Sequence, residues 1–235
     1  MDYELNKRYF KKVNENIDYG TKIKVIIGGA VVFLIFIAMV PIIAIIGAAV
    51  AGITIYSIVN EKKTIENEKA SIPSDSQYDS EVIKMLGDLK AKALNALGLD
   101  EDEVKEIAPI TFDGYVYKNA DYLKRGRDGL WRTNKYEYVI LFFSENEVHC
   151  YNYTFDTTLN WKTESTDVYF YRDIVSVSTS SDTVQLLGEK IDYEFFKLTT
   201  TGGTTLPVSL RDVNNAQRSI NAMRSLLKIK KQNMQ

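Results

Sequence analysis

The stretch FIAMVPIIAI, Phe36–Ile45, lies in the middle of the longest apolar run of the chain, 35 uncharged residues from Val25 to Val59. A bilayer core about 30 Å thick is spanned by roughly 20 helical residues, so one straight helix of this run is longer than a single crossing needs. Pro41 lacks a backbone N–H and clashes with the preceding turn, so the helix must kink or stop there. The run predicts either one kinked span or a helical hairpin whose two arms meet at Pro41.

Basic residues flank both ends of this run: Lys7, Arg8, Lys11, Lys12, Lys22 and Lys24 before it, and Lys62, Lys63 and Lys69 after it. Positive charge next to membrane helices stays on the cytoplasmic side. The distribution therefore favours the helical hairpin, in the cell (inner) membrane, with both ends and the soluble domain in the cytoplasm. The alternative is a single span with the lysine-rich N-terminal segment inside and the rest outside.

The composition allows the membrane segment, residues 23–59, and one soluble domain of ordinary size in a chain of 235 residues. A formal net charge of −2 excludes a surface that is built as a whole for polyanions. Cys150 is the only cysteine, so the chain has no internal disulfide and fits a reducing compartment.

Residues 1–22 are basic and carry apolar side chains at four-residue spacing: Leu5, Tyr9, Val13 and Ile17. This pattern predicts an amphipathic helix on the inner membrane face, and a partly ordered basic tail is the alternative. Residues 60–78 are charged and are then broken by Pro73 and serines, which predicts a helix extension followed by a linker.

Residues 79–107 predict amphipathic helices. Ser80–Leu97 has leucines, valine and isoleucine on one face and charged residues opposite, and Gly98 ends it. Asp100 can cap the short acidic turn that follows. The acidic cluster there lacks the spaced oxygen ligands and central glycine of a calcium-binding loop, so we interpret it as a helix start.

Residues 108–235 change to strand character. The β-rich segments, bounded by turn residues, are YEYVILFFS, EVHCYNYTFD, STDVYFYRD, DIVSVSTS, DTVQLLG, YEFFKLTTT and TTLPVSL. Gly202-Gly203 between two threonine runs predicts a β-hairpin with a two-residue turn, and Asp212–Lys230 predicts a helix with an Asp cap and one apolar stripe. The predicted fold class is α+β: an N-terminal transmembrane helical segment and an antiparallel β-sandwich or barrel closed by a C-terminal helix.

This order of strands and terminal helix resembles the pleckstrin-homology-like (PH-like) domains, and YFYRDIVSVS, Tyr169–Ser178, is the most similar piece. A short membrane segment joined to a compact β-domain also resembles the small membrane effectors of bacterial anti-phage systems. These include the β-barrel effectors of cyclic-nucleotide (CBASS) systems and the channel effector of the Hailong system. The resemblance implies an oligomeric ion channel or pore in antiviral defence.

Residues with catalytic potential are scarce. His149 is the only histidine and lies beside Cys150 within a strand pattern, where neighbouring side chains point to opposite faces. The two therefore form no nucleophile–base pair; we expect Cys150 in the core and His149 outward or locally bonded. The sequence contains no metal-binding spacing, phosphate loop or nucleophile elbow. We expect no enzyme, no metal site and no cofactor.

A basic and aromatic segment, Tyr115–Tyr136, carries a local net charge of +4. The candidate ligand-binding residues are Lys118, Lys124, Arg125, Arg127, Trp131, Arg132 and Lys135. Basic groups bind phosphate and aromatic faces stack on bases, so a nucleotide, an oligonucleotide or an anionic membrane lipid is the expected ligand. The alternative is a solvated β-hairpin loop with Trp131 packed into the domain.

Small residues recur in the apolar run, and the candidates for helix packing or a pore are Gly28, Gly29, Pro41, Ala44, Ala48 and Gly52. Such residues let helix backbones approach closely. They serve either packing within one chain or a homo-oligomer around a narrow apolar pore.

Two functions fit these features. In one, the chain is a membrane effector, an oligomeric channel or pore controlled by an anionic ligand on its cytosolic β-domain. In the other, it is a membrane-anchored PH-like scaffold that binds lipid or protein and conducts nothing.

Overall fold

The computed structural model describes residues 1–36, 41–104 and 107–233. The chain divides into two compact units. One unit is formed by residues 11–73, and the other combines residues 1–10 with residues 74–235. We call them the hairpin unit and the soluble unit. Residues 37–40, in the middle of the apolar run, lie outside the described residues.

The described part of the chain contains the following elements. The helices are α1 Tyr3–Tyr9, α2 Tyr19–Phe36, α3 Pro41–Ala70, α4 Asp75–Lys84, α5 Leu89–Leu97 and α6 Val213–Asn233. The strands are β1 Ile110–Tyr115, β2 Leu123–Arg125, β3 Trp131–Thr133, β4 Lys135–Phe143, β5 Glu147–Asp156, β6 Lys162–Phe170, β7 Ile174–Leu186, β8 Glu189–Thr200 and β9 Thr205–Ser209. Short 3-10 turns occur at Glu101–Val104 and Tyr171–Asp173.

In the hairpin unit, α2 and α3 pack against each other in antiparallel orientation. A Cβ atom added at Gly29 of α2 would lie 2.6 Å from the carbonyl oxygen of Gly47 in α3. Near the other end of the pair, Lys22 forms an ion pair with Glu61. α3 begins at Pro41, where the missing N–H of proline is tolerated. The apolar run is therefore two packed helices, and one continuous kinked helix is not found.

The polar end of the hairpin unit is held by charges. Lys11 lies 3.5 Å from Glu68, and Glu15 lies 2.9 Å from Lys69, so the segment before α2 follows the last turns of α3. Residues 60–78, predicted as a helix extension and linker, are helical to Ala70. The linker is shorter than predicted, because α4 already begins at Asp75. By length and composition, one helical stretch of the described residues could cross a membrane, and it begins at Ile45 within α3.

The N-terminal segment differs from the prediction. The expected helix over residues 1–22 is wrong, because α1 ends at Tyr9 and residues 11–18 are not helical. The side chain of Tyr9 is fully buried in the soluble unit, and Asn6 Nδ2 donates a hydrogen bond of 2.7 Å to the carbonyl of Thr157. Because Tyr9 is buried inside the soluble unit, it is not available to contact a membrane surface.

The soluble unit contains two antiparallel sheets and a small β-hairpin. The first sheet has the order β1-β4-β5-β6, the second has the order β7-β8-β9, and β2 pairs only with β3. Both faces of the first sheet are covered. Val139 and Leu141 of β4 face the second sheet and α6, whereas Ile140 and Phe142 face the cluster around α1, α4 and α5. This double burial explains why β4 is a continuous apolar run.

Several sequence predictions are confirmed. The apolar stripe of α6 is buried against the sandwich: Ala216, Ile220, Met223 and Leu227. β8 and β9 form the predicted hairpin, and Gly203 adopts a φ of 81° in its turn, a conformation that glycine adopts without strain. The turn is longer than the two residues predicted, because residues 201–204 connect the strands. Cys150 is fully buried, and His149 lies 3.3 Å from the carboxylate of Glu147.

The single helix predicted for Ser80–Leu97 is wrong. It is two helices, because α4 ends at Lys84 and α5 begins at Leu89, with Gly87 between them. The break lets each short helix pack separately: Val82 and Ala93 both reach the buried cluster on the outer face of the first sheet. Gly98 ends α5 in the left-handed conformation, as expected.

Candidate functional site

The last residue of α1 is fixed by an aromatic stack. The ring of Tyr9 lies parallel to that of Tyr78 in α4, with centroids 4.3 Å apart and an angle of 5° between the planes. The hydroxyl of Tyr78 donates a hydrogen bond of 2.7 Å to the carbonyl of Thr133 at the end of β3. Phe10 meets Tyr78 edge-on. The N-terminal segment is thus anchored to α4 and, through it, to the β2–β3 hairpin.

Asp75, in the first turn of α4, connects three separate parts of the chain. Its Oδ1 accepts a hydrogen bond of 2.7 Å from the Tyr9 hydroxyl. Its Oδ2 accepts a hydrogen bond of 2.8 Å from the backbone N–H of Arg127, at the tip of the β2–β3 hairpin. Lys124 of β2 completes the contact, because its Nζ donates to the Tyr9 carbonyl at 2.8 Å and lies 3.9 Å from the centre of the Tyr9 ring.

We call these five residues the junction: Tyr9, Asp75, Tyr78, Lys124 and Arg127. The hairpin unit begins one residue after Phe10 and ends at Pro73, one residue before Ser74. The two ends of the hairpin unit, Lys11 and Pro73, are each two residues along the chain from Tyr9 and Asp75, which are hydrogen-bonded to each other. The helices themselves begin and end further away, at Tyr19 of α2 and Ala70 of α3.

Behind the junction lies a buried ion network. Arg132 is 2% exposed, and all five of its N–H groups are used. Nε and Nη2 donate to the two carboxylate oxygens of Asp79 at 2.9 Å each, and Nη1 and Nη2 donate to Asp128 at 2.9 and 2.7 Å. Nη1 also donates to the carbonyl of Leu130. Arg211 adds a second cation to Asp79 at 2.9 Å.

The pKa values of this network follow from these contacts. The hydrogen bond from Arg132 lowers the pKa of Asp128 to about 2. Burial disfavours ionisation of Asp79, but the hydrogen bonds from Arg132 and Tyr115 and the charge of Arg211 outweigh it, so its pKa lies below the ordinary value. Burial lowers the pKa of Lys124. The two carboxylates are therefore ionised at neutral pH and hold Arg132 in place.

The structure separates the residues that were predicted to bind one ligand. The prediction that Arg132 binds a ligand is wrong. Its side chain is buried and its N–H groups already donate to two carboxylates and a carbonyl, so no donor is left for a ligand. Lys124 is half-buried against Tyr9, and Lys135 donates to the carbonyl of Asn119 and lies 3.6 Å from Asp121. Lys118, Arg125 and Arg127 remain exposed, and Arg125 lies over the ring of Trp131 with 5.6 Å to its centre.

The small residues of the apolar run also have different environments. Gly29 lies in the contact between α2 and α3, where Gly47, which sequence reasoning missed, is its partner. Gly28 and Gly52 have no atom within 4 Å of an added Cβ, and Ala48 is exposed. Pro41 and Ala44 belong to α3, and their side chains are outside the described part of the structure.

Sequence reasoning missed Asp75, Asp79 and Tyr78 as parts of the site. Asp75 and Tyr78 lie in the predicted linker and Asp79 at the start of the predicted amphipathic helices, and the three are 52 residues or more from their partners in the basic segment. The available signal was the opposite net charge of α4 and of the basic segment, and it carries no information about pairing.

No protein-family model, no curated protein and no solved structure matches this chain. Within residues 1–36, 41–104 and 107–233, no group of three or more His, Cys, Asp or Glu side chains is close enough to hold a metal ion. The site is therefore interpreted from its geometry alone.

Proposed function

We propose that this protein is a membrane effector whose helical hairpin crosses the bilayer twice and is controlled by its soluble unit through the junction. One observation carries the proposal: residues 1–10 and 74–235 fold together, while residues 11–73 form a separate helical hairpin. Because both flanks belong to one folded unit, they lie on the same side of a membrane. The hairpin then crosses twice, and the basic flanks favour the cytoplasmic side for the soluble unit.

The outward face of the hairpin supports a membrane environment. Leu34 and Ile42 are among the most exposed large hydrophobic side chains of the described residues, at 70% and 71%, and no charged residue interrupts the run between Val25 and Val59. Gly28 and Gly52, which make no packing contact inside the hairpin, are available for contact with other copies. We propose a homo-oligomer of hairpins around a narrow apolar pore.

The soluble unit supports assignment as a PH-like domain. A four-stranded meander is followed by a three-stranded one and a terminal helix, which is the order of strands and helix in that fold. Two features depart from it: the β2–β3 hairpin is inserted after β1, and α1, α4 and α5 cover the outer face of the first sheet. Both departures build the junction, so we propose that they couple the domain to the helical hairpin.

An anionic ligand, nucleotide or oligonucleotide, would act at the tip of the β2–β3 hairpin. Arg125 and Arg127 are exposed there, and the backbone N–H of Arg127 is held by Asp75. A phosphate group bound to these guanidinium groups competes with the Asp75 carboxylate for the backbone N–H of Arg127. Release of Asp75 loosens its hydrogen bond with Tyr9, and both arms of the helical hairpin are affected.

Ion flux from liposomes that contain the full-length protein tests this proposal. We expect liposomes with wild-type protein to release ions. Asp75→Asn should change the rate of release severalfold, because it weakens the hydrogen bonds that Asp75 accepts from the Tyr9 hydroxyl and the Arg127 N–H. Arg218→Ala removes an exposed charge on α6, far along the chain from the junction, and serves as the control with unchanged flux. Membrane-inserted protein that releases no ions, with or without nucleotides, would exclude the channel.

The scaffold function remains a second candidate because a PH-like domain beside a bilayer suits binding without conduction. Its lipid contact would use the same exposed Arg125 and Arg127, since each basic residue near an anionic surface contributes about 1 kcal/mol. Absence of flux together with binding of the protein to separate anionic vesicles, lost on Arg125→Ala and Arg127→Ala, would identify the scaffold.

A further inference from the structure

A cavity of about 190 Å³ opens between β4, β8, β9 and the segment that follows β1. It does not belong to the junction. The side chains that determine its chemistry are Tyr117, Lys118, Glu137, Asp182, Tyr193 and Phe195. At about 30 Å³ per water-sized atom, the cavity accommodates roughly six non-hydrogen atoms.

Glu137 provides a carboxylate that the fold does not fully use. Its Oε1 accepts a hydrogen bond of 2.6 Å from the backbone N–H of Ser209 in β9. The side chain of Ser209 also hydrogen-bonds to this carboxylate. Burial nevertheless raises the pKa of Glu137 to about 7, because no cation is among the groups that stabilise its ionised form. A carboxylate has about four lone-pair sites, so two hydrogen bonds from one serine leave room for a cationic or hydrogen-bond-donating ligand.

Asp182, at the rim of the cavity, provides the second carboxylate. The nearest cation is Lys118, whose Nζ lies 4.0 Å from Oδ2 and whose side chain is 70% exposed. At this distance and exposure the pair is weak, because water screens the charges and Lys118 loses rotamer freedom on pairing. A ligand with its own cation can replace Lys118 at Asp182.

Aromatic rings form the remaining walls. Tyr117 and Tyr193 lie with centroids 5.1 Å apart and an angle of 49° between their planes, and Phe195 follows at 5.9 Å from Tyr193. The faces of aromatic rings attract cations, most strongly where water is excluded. Two carboxylates between aromatic faces thus define a site for an organic cation, whereas a phosphate would be repelled.

The surroundings extend the same chemistry. A second cavity of about 360 Å³ shares Tyr117 and Tyr193 with the first and is also lined by Asp192 and Glu194. The one cation that lines it, Arg211, is already paired with Asp79 at 2.9 Å. Carboxylates therefore line both cavities that share the tyrosine pair, which suits a linear ligand with cationic groups at both ends.

We propose that this cavity binds a small linear organic diamine, with one ammonium group between Glu137 and Asp182 and its carbon chain against Tyr117 and Tyr193. The ligand class has the opposite charge to the one expected for the basic segment Tyr115–Tyr136. The site lies on the soluble unit and does not depend on the proposed channel function.

Isothermal titration of the full-length protein in detergent with putrescine tests the proposal, and 1,4-butanediol is the uncharged control. We expect saturable binding of putrescine and none of the diol. Glu137→Gln keeps an oxygen for the Ser209 N–H but removes the charge, and Asp182→Asn does the same at the rim. Each should weaken binding about tenfold or more, as expected for loss of a charge-assisted contact.

Two further variants separate this site from general attraction of a cation. Lys118→Ala should strengthen binding severalfold, because it removes the resident competitor at Asp182. Glu189→Gln removes an exposed carboxylate near the β7–β8 turn and should leave binding unchanged. Equal weakening by Glu189→Gln and Glu137→Gln would reduce the result to surface charge and overturn the proposal. Absence of putrescine binding at millimolar concentration would overturn it as well.

Discussion

The hairpin unit and the soluble unit use the same apolar residue types in opposite ways. In the soluble unit Leu141 is fully buried and Ile140 is 1% exposed, whereas in the hairpin unit Leu34 and Ile53 are 70% and 69% exposed. In water only the soluble unit is favourable, because exposed apolar surface of the kind found on the hairpin unit costs roughly 25 cal/mol per Å². The comparison supports the proposal that the hairpin unit lies in a bilayer.

The two units also differ in what holds them together. The soluble unit has two buried clusters on the two faces of its first sheet and a buried ion network beside the junction. The contacts within the hairpin unit include close packing at Gly29 and Gly47 and ion pairs at the polar end, such as Lys22–Glu61. Neither of the two buried clusters includes a residue of the hairpin unit, so we expect its stability to depend on its surroundings.

The same substitution in both units gives the largest expected effects. Leu141→Asp buries a carboxylate in the sandwich and should lower the free energy of unfolding of the soluble unit by about 4 kcal/mol or more. Leu34→Asp should leave that unit unchanged but disfavour membrane insertion by about 3 kcal/mol. Trp131 and Trp161 are the only tryptophans and both lie in the soluble unit, so denaturation followed by their fluorescence reports on it alone.

Membrane association is measured in parallel by resistance of the protein to alkaline extraction. If Leu34→Asp remains as resistant as wild-type protein, the hairpin unit does not lie in the hydrocarbon core. The contrast between the two units would then have another cause.

A second comparison can be made within the basic segment. Arg132→Ala removes a cation that is bound to Asp79 and Asp128, and the carboxylate of Asp79 stays largely buried. The loss of this buried pair should lower the free energy of unfolding of the soluble unit by about 3–5 kcal/mol. Arg127→Ala, whose side chain is exposed and whose bond to Asp75 comes from the backbone, should change stability by less than about 0.5 kcal/mol. Urea unfolding of both variants measures the difference, and equal effects would contradict the buried network.

These contrasts show what the sequence could and could not predict. The β-strands and α6 were predictable because apolar alternation and the stripe at Ile220 and Met223 are local patterns. The environment of Arg132 was not, since its partner Asp79 lies 53 residues away, and a local charge count treats a buried arginine and an exposed one alike. Tyr9 was assigned to a membrane-surface helix because four-residue spacing does not specify what the apolar face packs against.

Glu137 predicts a dependence of stability on pH. Its pKa in the folded protein, about 7, lies above its ordinary value of 4.5, so the folded state binds more protons between these values. The free energy of unfolding should therefore fall as pH rises from 4.5 to 7, by about 2 kcal/mol from this group. Glu137→Gln removes the effect, so its stability relative to wild type should increase over the same range. A constant difference between pH 5 and pH 8 would contradict the raised pKa.

The smallest expected effect concerns helix packing in the hairpin unit. Gly47→Ala would bring a Cβ to 2.7 Å from the carbonyl oxygen of Gly29 and should weaken the α2–α3 contact by about 1–2 kcal/mol. Gly52→Ala meets no atom within 4 Å and should be neutral or slightly stabilising within one chain. Thermal melting of the helical signal in detergent compares the two. If Gly52→Ala is the more damaging, Gly52 packs against another copy.

The position of the helical hairpin in the membrane is the central claim, and labelling with a membrane-impermeant thiol reagent tests it most directly. Single cysteines at Asn14 and Ser71, both exposed near the ends of the hairpin unit, and at Met39, between α2 and α3 in sequence, are introduced with Cys150 replaced by alanine. In intact cells we expect label at position 39 and protection at positions 14 and 71 until the membrane is permeabilised. Label at position 71 in intact cells would contradict two crossings, and protection of all three positions would contradict a hairpin whose tip reaches the outer surface.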